Sequence, residues 1–86
     1  MIKLHGLKNE KTGKDLIGAI VIDEDNGDST LYSYYTPIVA KKADGSIVRI
    51  ATNDMLKGGE LSKTTALHLK HFCGLTKEGF YALNVQ

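Results

Sequence analysis

Eighty-six residues, 42% of them hydrophobic and 24% charged, suit one small folded domain spanning 1–86 and exclude an intrinsically disordered chain. Eleven basic against ten acidic residues leave a net charge of +1, so overall charge exerts no pull toward nucleic acid, and no run approaches the ~20 apolar residues of a membrane span. A single cysteine excludes an internal disulfide framework and Met1-Ile2-Lys3-Leu4-His5-Gly6 lacks the apolar core of a signal peptide, so a reducing, cytoplasmic setting is expected.

In chain order, Ile2 to about Lys8 alternates loosely and gives way to the polar turn cluster Asn9-Glu10-Lys11-Thr12-Gly13. Leu16 to Asp23 is apolar on both parities, the pattern of a strand covered on both faces. Asp25-Asn26-Gly27-Asp28 is a hairpin signal, because Asn-Gly accepts the positive φ angles of a type I′ turn. Thr30 to Lys41 reads as a single long third strand, holding three of the four tyrosines and the only proline. Ala43-Asp44-Gly45 makes the next turn, and Ser46 to Ala51 forms a fourth strand.

From Thr52 the pattern changes. Asn53 to Glu60, with Gly58-Gly59, reads as an irregular loop. Ser62 or Thr64 can cap a helix whose Ala66, Leu69, Phe72 and Cys73 share one face, and Gly74 suits the left-handed position that ends it. Thr76 can cap a second short helix through Phe80 and Leu83, with a strand at Phe80 to Val85 as the competing reading. The expected architecture is α+β: an antiparallel meander of three to four strands, with one or two C-terminal helices packed on one face and the other face open.

Few side chains suggest chemistry. His68 and His71, three apart on a helix, can share a metal, but Cys73 lies about 140° round the helix from His71 and no fourth ligand is placed, so no metal site and no cofactor are expected. Cys73 sits where a helix C-terminus disfavours a thiolate, so it reads as core. Gly58-Gly59-Glu60-Leu61-Ser62-Lys63 lacks the glycine that a phosphate loop places before its lysine; Lys63 and the free N–H groups of a helix start suit one anion at most. Ser62 to Leu83 has the outline of a helix-turn-helix, but its second helix offers only Lys77 before Glu78 to a groove.

The tyrosine strand is the best candidate for a binding surface. Tyr32 and Tyr34 are expected on one face and Tyr35 on the other. Spaced aromatics on an open sheet suit a protein partner, or stack bases if Lys41, Lys42 and Arg49 supply phosphate contacts. An exposed sheet edge also allows pairing with a second copy of the chain.

Two stretches carry a resemblance. Ser33-Tyr34-Tyr35-Thr36-Pro37 followed by Ser62-Lys63-Thr64-Thr65-Ala66-Leu67-His68 is similar to an uncharacterised domain common in bacteriophage genomes. That domain shows a serine-tyrosine-any-threonine-proline strand and then a serine-any-threonine-threonine helix start with a histidine soon after. The resemblance covers roughly residues 31–75 and implies a phage or mobile-element origin with no particular chemistry.

The expectation is therefore a non-enzymatic phage or mobile-element module that occupies a host or phage protein in a bacterial cytoplasm. An anti-defence inhibitor of the anti-CRISPR type is one form of it. Tyr32, Tyr34, Tyr35, Lys41, Lys42 and Arg49 are the binding residues. Single-stranded nucleic-acid binding through the same residues is the alternative.

Overall fold

In the computed structural model, which describes residues 2–85, five strands are laid side by side in the order in which they occur, and two helices follow. The strands are β1 (Lys3–Lys8), β2 (Asp15–Asp23), β3 (Ser29–Ser33), β4 (Thr36–Lys41) and β5 (Ile47–Arg49), each antiparallel to its neighbour. Two 3-10 turns, Asn53–Met55 and Lys57–Gly59, lead to α1 (Lys63–Cys73) and α2 (Lys77–Ala82). The α+β meander with C-terminal helices expected from the sequence is present. It has one strand more than expected, because the tyrosine segment is two strands.

Register sorts the side chains. Across the inner face run His5, Val21, Leu31, Val39 and Arg49, one from each strand. Across the opposite face run Leu4, Ile22, Thr30, Ala40 and Val48, with Ile20, Tyr32 and Pro37 beside them. The inner row joins Leu69 of α1 and Phe80 of α2 in one core with Ile38, Ala51 and Leu61. Burying a side chain of this size contributes about 1.5–3 kcal/mol, and here the two helices supply the cover that one sheet face needs.

β2 departs from simple alternation at Gly18. Leu16 packs on the core, Ile17 is 82% exposed, and burial resumes at Ala19 and Val21. A φ of +84° at Gly18 makes the reversal, and β1 skips ahead opposite it, from Gly6 paired with Ile20 to Lys8 paired with Asp15. This is a bulge, which bends a strand and re-aims its side chains. A second irregularity lies in β4, where Leu31 pairs Val39 but Tyr32 pairs Pro37. Ile38 is the extra residue, and the proline, which has no N–H for a ladder, is accommodated there.

The turns exchange the roles expected of them. The Asn26-Gly27 hairpin is not type I′, since only Gly27 takes positive φ. Gly27 N–H donates to Glu24 O at 3.1 Å and Glu24 N–H to Asp28 O at 2.8 Å, a four-residue loop ending in one left-handed glycine. The β4–β5 loop repeats it, with Gly45 N–H on Lys42 O and Lys42 N–H on Ser46 O. The two-residue turn with both φ angles positive lies at Tyr34 (φ 49°) and Tyr35 (φ 70°), between the paired residues Ser33 and Thr36. Positive φ at both central residues matches the right-handed twist of the flanking strands, which a type I or II turn would splay.

The helix ends follow their capping signals. Thr65 N–H donates to Ser62 Oγ at 3.1 Å, Gly74 takes φ 74° and donates to Lys70 O, and Gly79 N–H donates to Thr76 Oγ1. Residues 77–82 are helical, so the helix reading of the tail holds to that point, and Val85 then makes a single parallel bridge to Arg49.

Candidate functional site

The β3–β4 turn projects two tyrosines from the end of a hairpin. Left-handed backbone costs a non-glycine residue about 1–2 kcal/mol, so a turn holding two of them must be secured by its surroundings. Three contacts do this. Tyr34 N–H donates to Gly18 O at 2.9 Å, the Tyr34 ring lies against Gly18, and its centroid is 6.0 Å from that of the His68 ring. The bulge in β2 and the tyrosine turn are thus two halves of one arrangement.

His68, 1% exposed on α1, is the residue that joins them. Its Nε2 lies 3.1 Å from Ile17 O, which can only accept, so Nε2 carries the proton. Nδ1 is then an acceptor and takes the hydroxyl proton of Ser33 at 2.9 Å. With that proton committed, Thr65 Oγ1 donates to Ser33 Oγ at 3.0 Å, and Ser62 Oγ in turn donates to Thr65 Oγ1 at 3.1 Å. The result is a one-directional chain from Ser62 at the surface to a neutral buried imidazole. Sequence reasoning missed it, although the signal was available: Ser62, Thr65 and His68 recur every three residues and so share one face of a helix.

Burial pushes the His68 imidazole below its ordinary value of 6.5, against a smaller opposing effect of its bond to the Ile17 carbonyl. The folded form therefore resists protonation that the unfolded chain accepts. The stability this contributes is complete above about pH 6.5 and is lost as the pH falls toward the folded-state value. The urea midpoint should accordingly drop between pH 7 and pH 5.5. In His68→Asn, weaker at both, the drop should be largely absent; an equal drop in the variant would remove His68 as its cause.

His5 behaves oppositely. Its two nitrogens face Gly6 O and Asp23 Oδ2, both at 2.9 Å and both acceptors, and its pKa is raised, first by the Gly6 carbonyl and then by Asp23. His71 accepts from Glu10 N–H at 3.4 Å and faces the β1–β2 loop. Both nitrogens of His68 are already engaged, so the two histidines do not form the pair considered from their spacing. Cys73 donates to Leu69 O at 3.6 Å, and burial raises its thiol pKa.

Two depressions flank the Tyr34 ring. One, of about 380 Å³, is bordered by Ile17, Ile20, Tyr34 and Tyr35; here Tyr35 is 89% exposed. The other, of about 720 Å³, lies between the start of β4, the 3-10 turns and the start of α1. Its lining includes Ser33, Thr36, Ser62, Thr64 and Thr65, together with the charged residues Asp54, Lys57 and Glu60. Ile38, Met55 and Leu56 form its apolar part.

The six residues expected to bind together are dispersed. Tyr34 and Tyr35 share the turn, but Tyr32 is half-buried on the outer sheet face, paired with Ile20, because β3 ends at Ser33. Lys41 is exposed at the far end of β4, five steps or roughly 17 Å from the turn. Lys42 is ion-paired with Asp28 at 3.1 Å. Arg49 departs furthest from expectation: it is 6% exposed in the inner row, its Nε–H on Ala51 O and its Nη2 on Asn53 Oδ1, with its guanidinium 4.3 Å above the Phe80 ring. It is a core residue and is not displayed to a phosphate.

No curated protein and no solved structure matches the chain. A family model described as "Family of unknown function (DUF8033)" matches residues 3–81. The match includes the tyrosine turn and the Ser62–His68 helix start, and the chain belongs to this family of unknown function.

Proposed function

We propose that the protein is a non-enzymatic binding module of a bacteriophage or mobile element, and that it docks on a host or phage protein through the tip formed by Ile17, Tyr34 and Tyr35. The exposure of Tyr35 carries this reading: a large aromatic side chain is held clear of the protein on a strained turn. Solvent-facing aromatic and aliphatic side chains at one point are costly to leave wet and suit the centre of a protein interface. Strained backbone secured by its neighbours is a further mark of a working surface. The phage or mobile-element origin rests on the paired signature around Ser33–Pro37 and Ser62–His68. An anti-defence inhibitor, of the anti-CRISPR type among others, is one form that such a module takes.

Support for nucleic-acid binding is thinner, since the cationic groups it requires are buried, paired or distant from the turn. Salt separates the readings, because phosphate contacts make affinity fall steeply between about 50 and 200 mM.

Tyr35→Gly is the informative variant. Glycine adopts positive φ without strain, so the fold should be retained, with stability equal or higher by about 0.5 kcal/mol, while the ring is removed. A partner captured from bacterial lysate by the wild-type protein should be lost from this variant at low and moderate salt. Retention of the same partner at wild-type affinity would remove the tip from the interface.

A further inference from the structure

The tip carries a projection and a hollow side by side. The projection is Tyr35, 89% exposed. The hollow is the depression of about 380 Å³ at Ile17, Gly18, Ile20, Tyr34 and Tyr35, and of these bordering residues none carries a charge. Both features come from the backbone. The positive φ of Gly18 turns Ile17 outward, and positive φ at Tyr34 and Tyr35 holds the second ring beyond the sheet. The bond from Tyr34 N–H to Gly18 O, at 2.9 Å, fixes one against the other. The shape is therefore set before anything binds, and little ordering entropy remains to be lost.

A knob next to a hole on one uncharged surface meets the requirement of a two-fold contact. In such a contact residue i of one copy touches residue j of the other, and j touches i. No like charges face each other across it. The edge of the sheet is a poorer meeting place for two copies. Antiparallel pairing of β1 with itself about His5-Gly6 sets Lys3 opposite Lys8, and like charges directly opposite destabilise a strand pair. At the other edge, β5 is already bridged by Val85. Size also permits the tip. Aromatic side chains bury about 150–250 Å² each, so Ile17, Tyr34 and Tyr35 of two copies, with Ile20 and Tyr32 beside them, remove on the order of 1,000 Å² from water, the lower bound of a specific interface.

We infer that the free protein forms a two-fold dimer through this tip, so that a second copy covers the docking surface until a partner displaces it. The inference rests on reading the tip as a protein-facing surface, and it names one occupant. A contact this small is a weak one, with a Kd on the order of 10–100 µM.

Sedimentation velocity of the full chain from about 5 µM to about 1 mM spans that Kd, and should pass from mostly monomer to mostly dimer. Tyr35→Gly removes the knob, and Ile17→Lys brings two like charges together at the contact. Both side chains face solvent, so both variants should stay folded by circular dichroism, with dimerisation weakened at least tenfold. Lys41→Ala, at the far end of β4, should associate as the wild type does. A wild-type chain that is monomeric throughout would overturn the dimer, as would a dimer unchanged in both tip variants. Lysate capture at about 1 µM, where the chain is monomeric, keeps the two readings apart. A monomeric wild type that still captures a partner through Tyr35 overturns self-association alone. A tip-dependent dimer whose Tyr35→Gly variant captures the same partner overturns docking alone.

Discussion

Gly18→Ala should be among the most damaging single-methyl additions available in this chain. A Cβ at position 18 would lie 2.5 Å from Cε1, 2.6 Å from Cζ and 2.8 Å from Cδ1 of Tyr34, and φ there is +84°. The left-handed backbone alone costs an alanine about 1–2 kcal/mol, and overpacking adds typically 1–3 kcal/mol. The clash is with the body of the ring rather than a flexible end, so the turn must move. Its movement strains the Tyr34 N–H bond to Gly18 O and the contact with His68. A loss of about 2–4 kcal/mol in urea unfolding follows from these terms. The double variant Gly18→Ala/Tyr34→Ala distinguishes the two contributions. Without the ring only the backbone penalty remains, so the two losses should fall short of adding by more than 1 kcal/mol, a coupling within the usual range for residues in contact. Strict additivity would mean that the ring and the glycine do not constrain one another.

Arg49→Ala should be comparably severe for a different reason. Among the described residues the guanidinium is a buried cation with no carboxylate beside it. Its compensation is the Ala51 carbonyl at 2.8 Å, Asn53 Oδ1 at 2.6 Å, Leu83 O at 3.5 Å and the face of Phe80. These contacts connect β5 to the first 3-10 turn and to the end of α2. Truncation leaves the buried Ala51 carbonyl without its donor, a cost of about 1–3 kcal/mol, and opens space beside the largest core side chain. A loss of about 3 kcal/mol is expected on those grounds. Lysine should recover less than half of it, because a compact ammonium cannot span acceptors set around a planar fork. Chemical denaturation of the three proteins decides the matter. Wild-type stability in Arg49→Lys would show that charge alone, and not the fork, holds the tail.

The two variants act on different parts of one construction. Gly18 belongs to the device that presents the tyrosines, and Arg49 to the device that closes the far end of the sheet onto α2. If the tip is the docking surface, Gly18→Ala should impair binding even where enough folded protein survives. Arg49→Ala should lower the folded fraction while the molecules that remain folded bind normally. Measuring affinity per folded molecule separates these outcomes.

Much of the architecture was legible along the chain because its causes are local. The run Leu16–Asp23, the glycines at 27 and 45 and the polar clusters between strands place β2 and the turns beside it. Ser62, Gly74 and Thr76 mark helix ends through bonds spanning three or four residues. The third strand failed for an equally local reason: Tyr34-Tyr35 carries no turn residue, and nothing nearby in sequence announces positive φ. The type I′ turn expected at Asn26-Gly27 failed in the complementary way. A permissive pair allows that turn but does not require it, and Asp28 is occupied elsewhere, accepting from Ala43 N–H and Lys42 Nζ.

The candidate site was legible only in pieces. The resemblance set Ser33–Pro37 beside Ser62–His68 in one description, but it could not say that Ser33 and His68 touch. Ser33 and His68 are 35 residues apart and Ile17 and His68 are 51 apart, so their contact exists only once the sheet has formed and α1 has packed on it. Arg49 shows the same limit: as a charged residue on a short strand it reads as surface, and only α2 folding over it makes it core. The sequence by itself determined that this is an α+β meander closed by capped helices, because propensity, alternation and capping act within a few residues. Tertiary structure alone decided which tyrosines face solvent, which cation is buried and which way the hydroxyl chain points, because each depends on partners that only packing brings within hydrogen-bond reach.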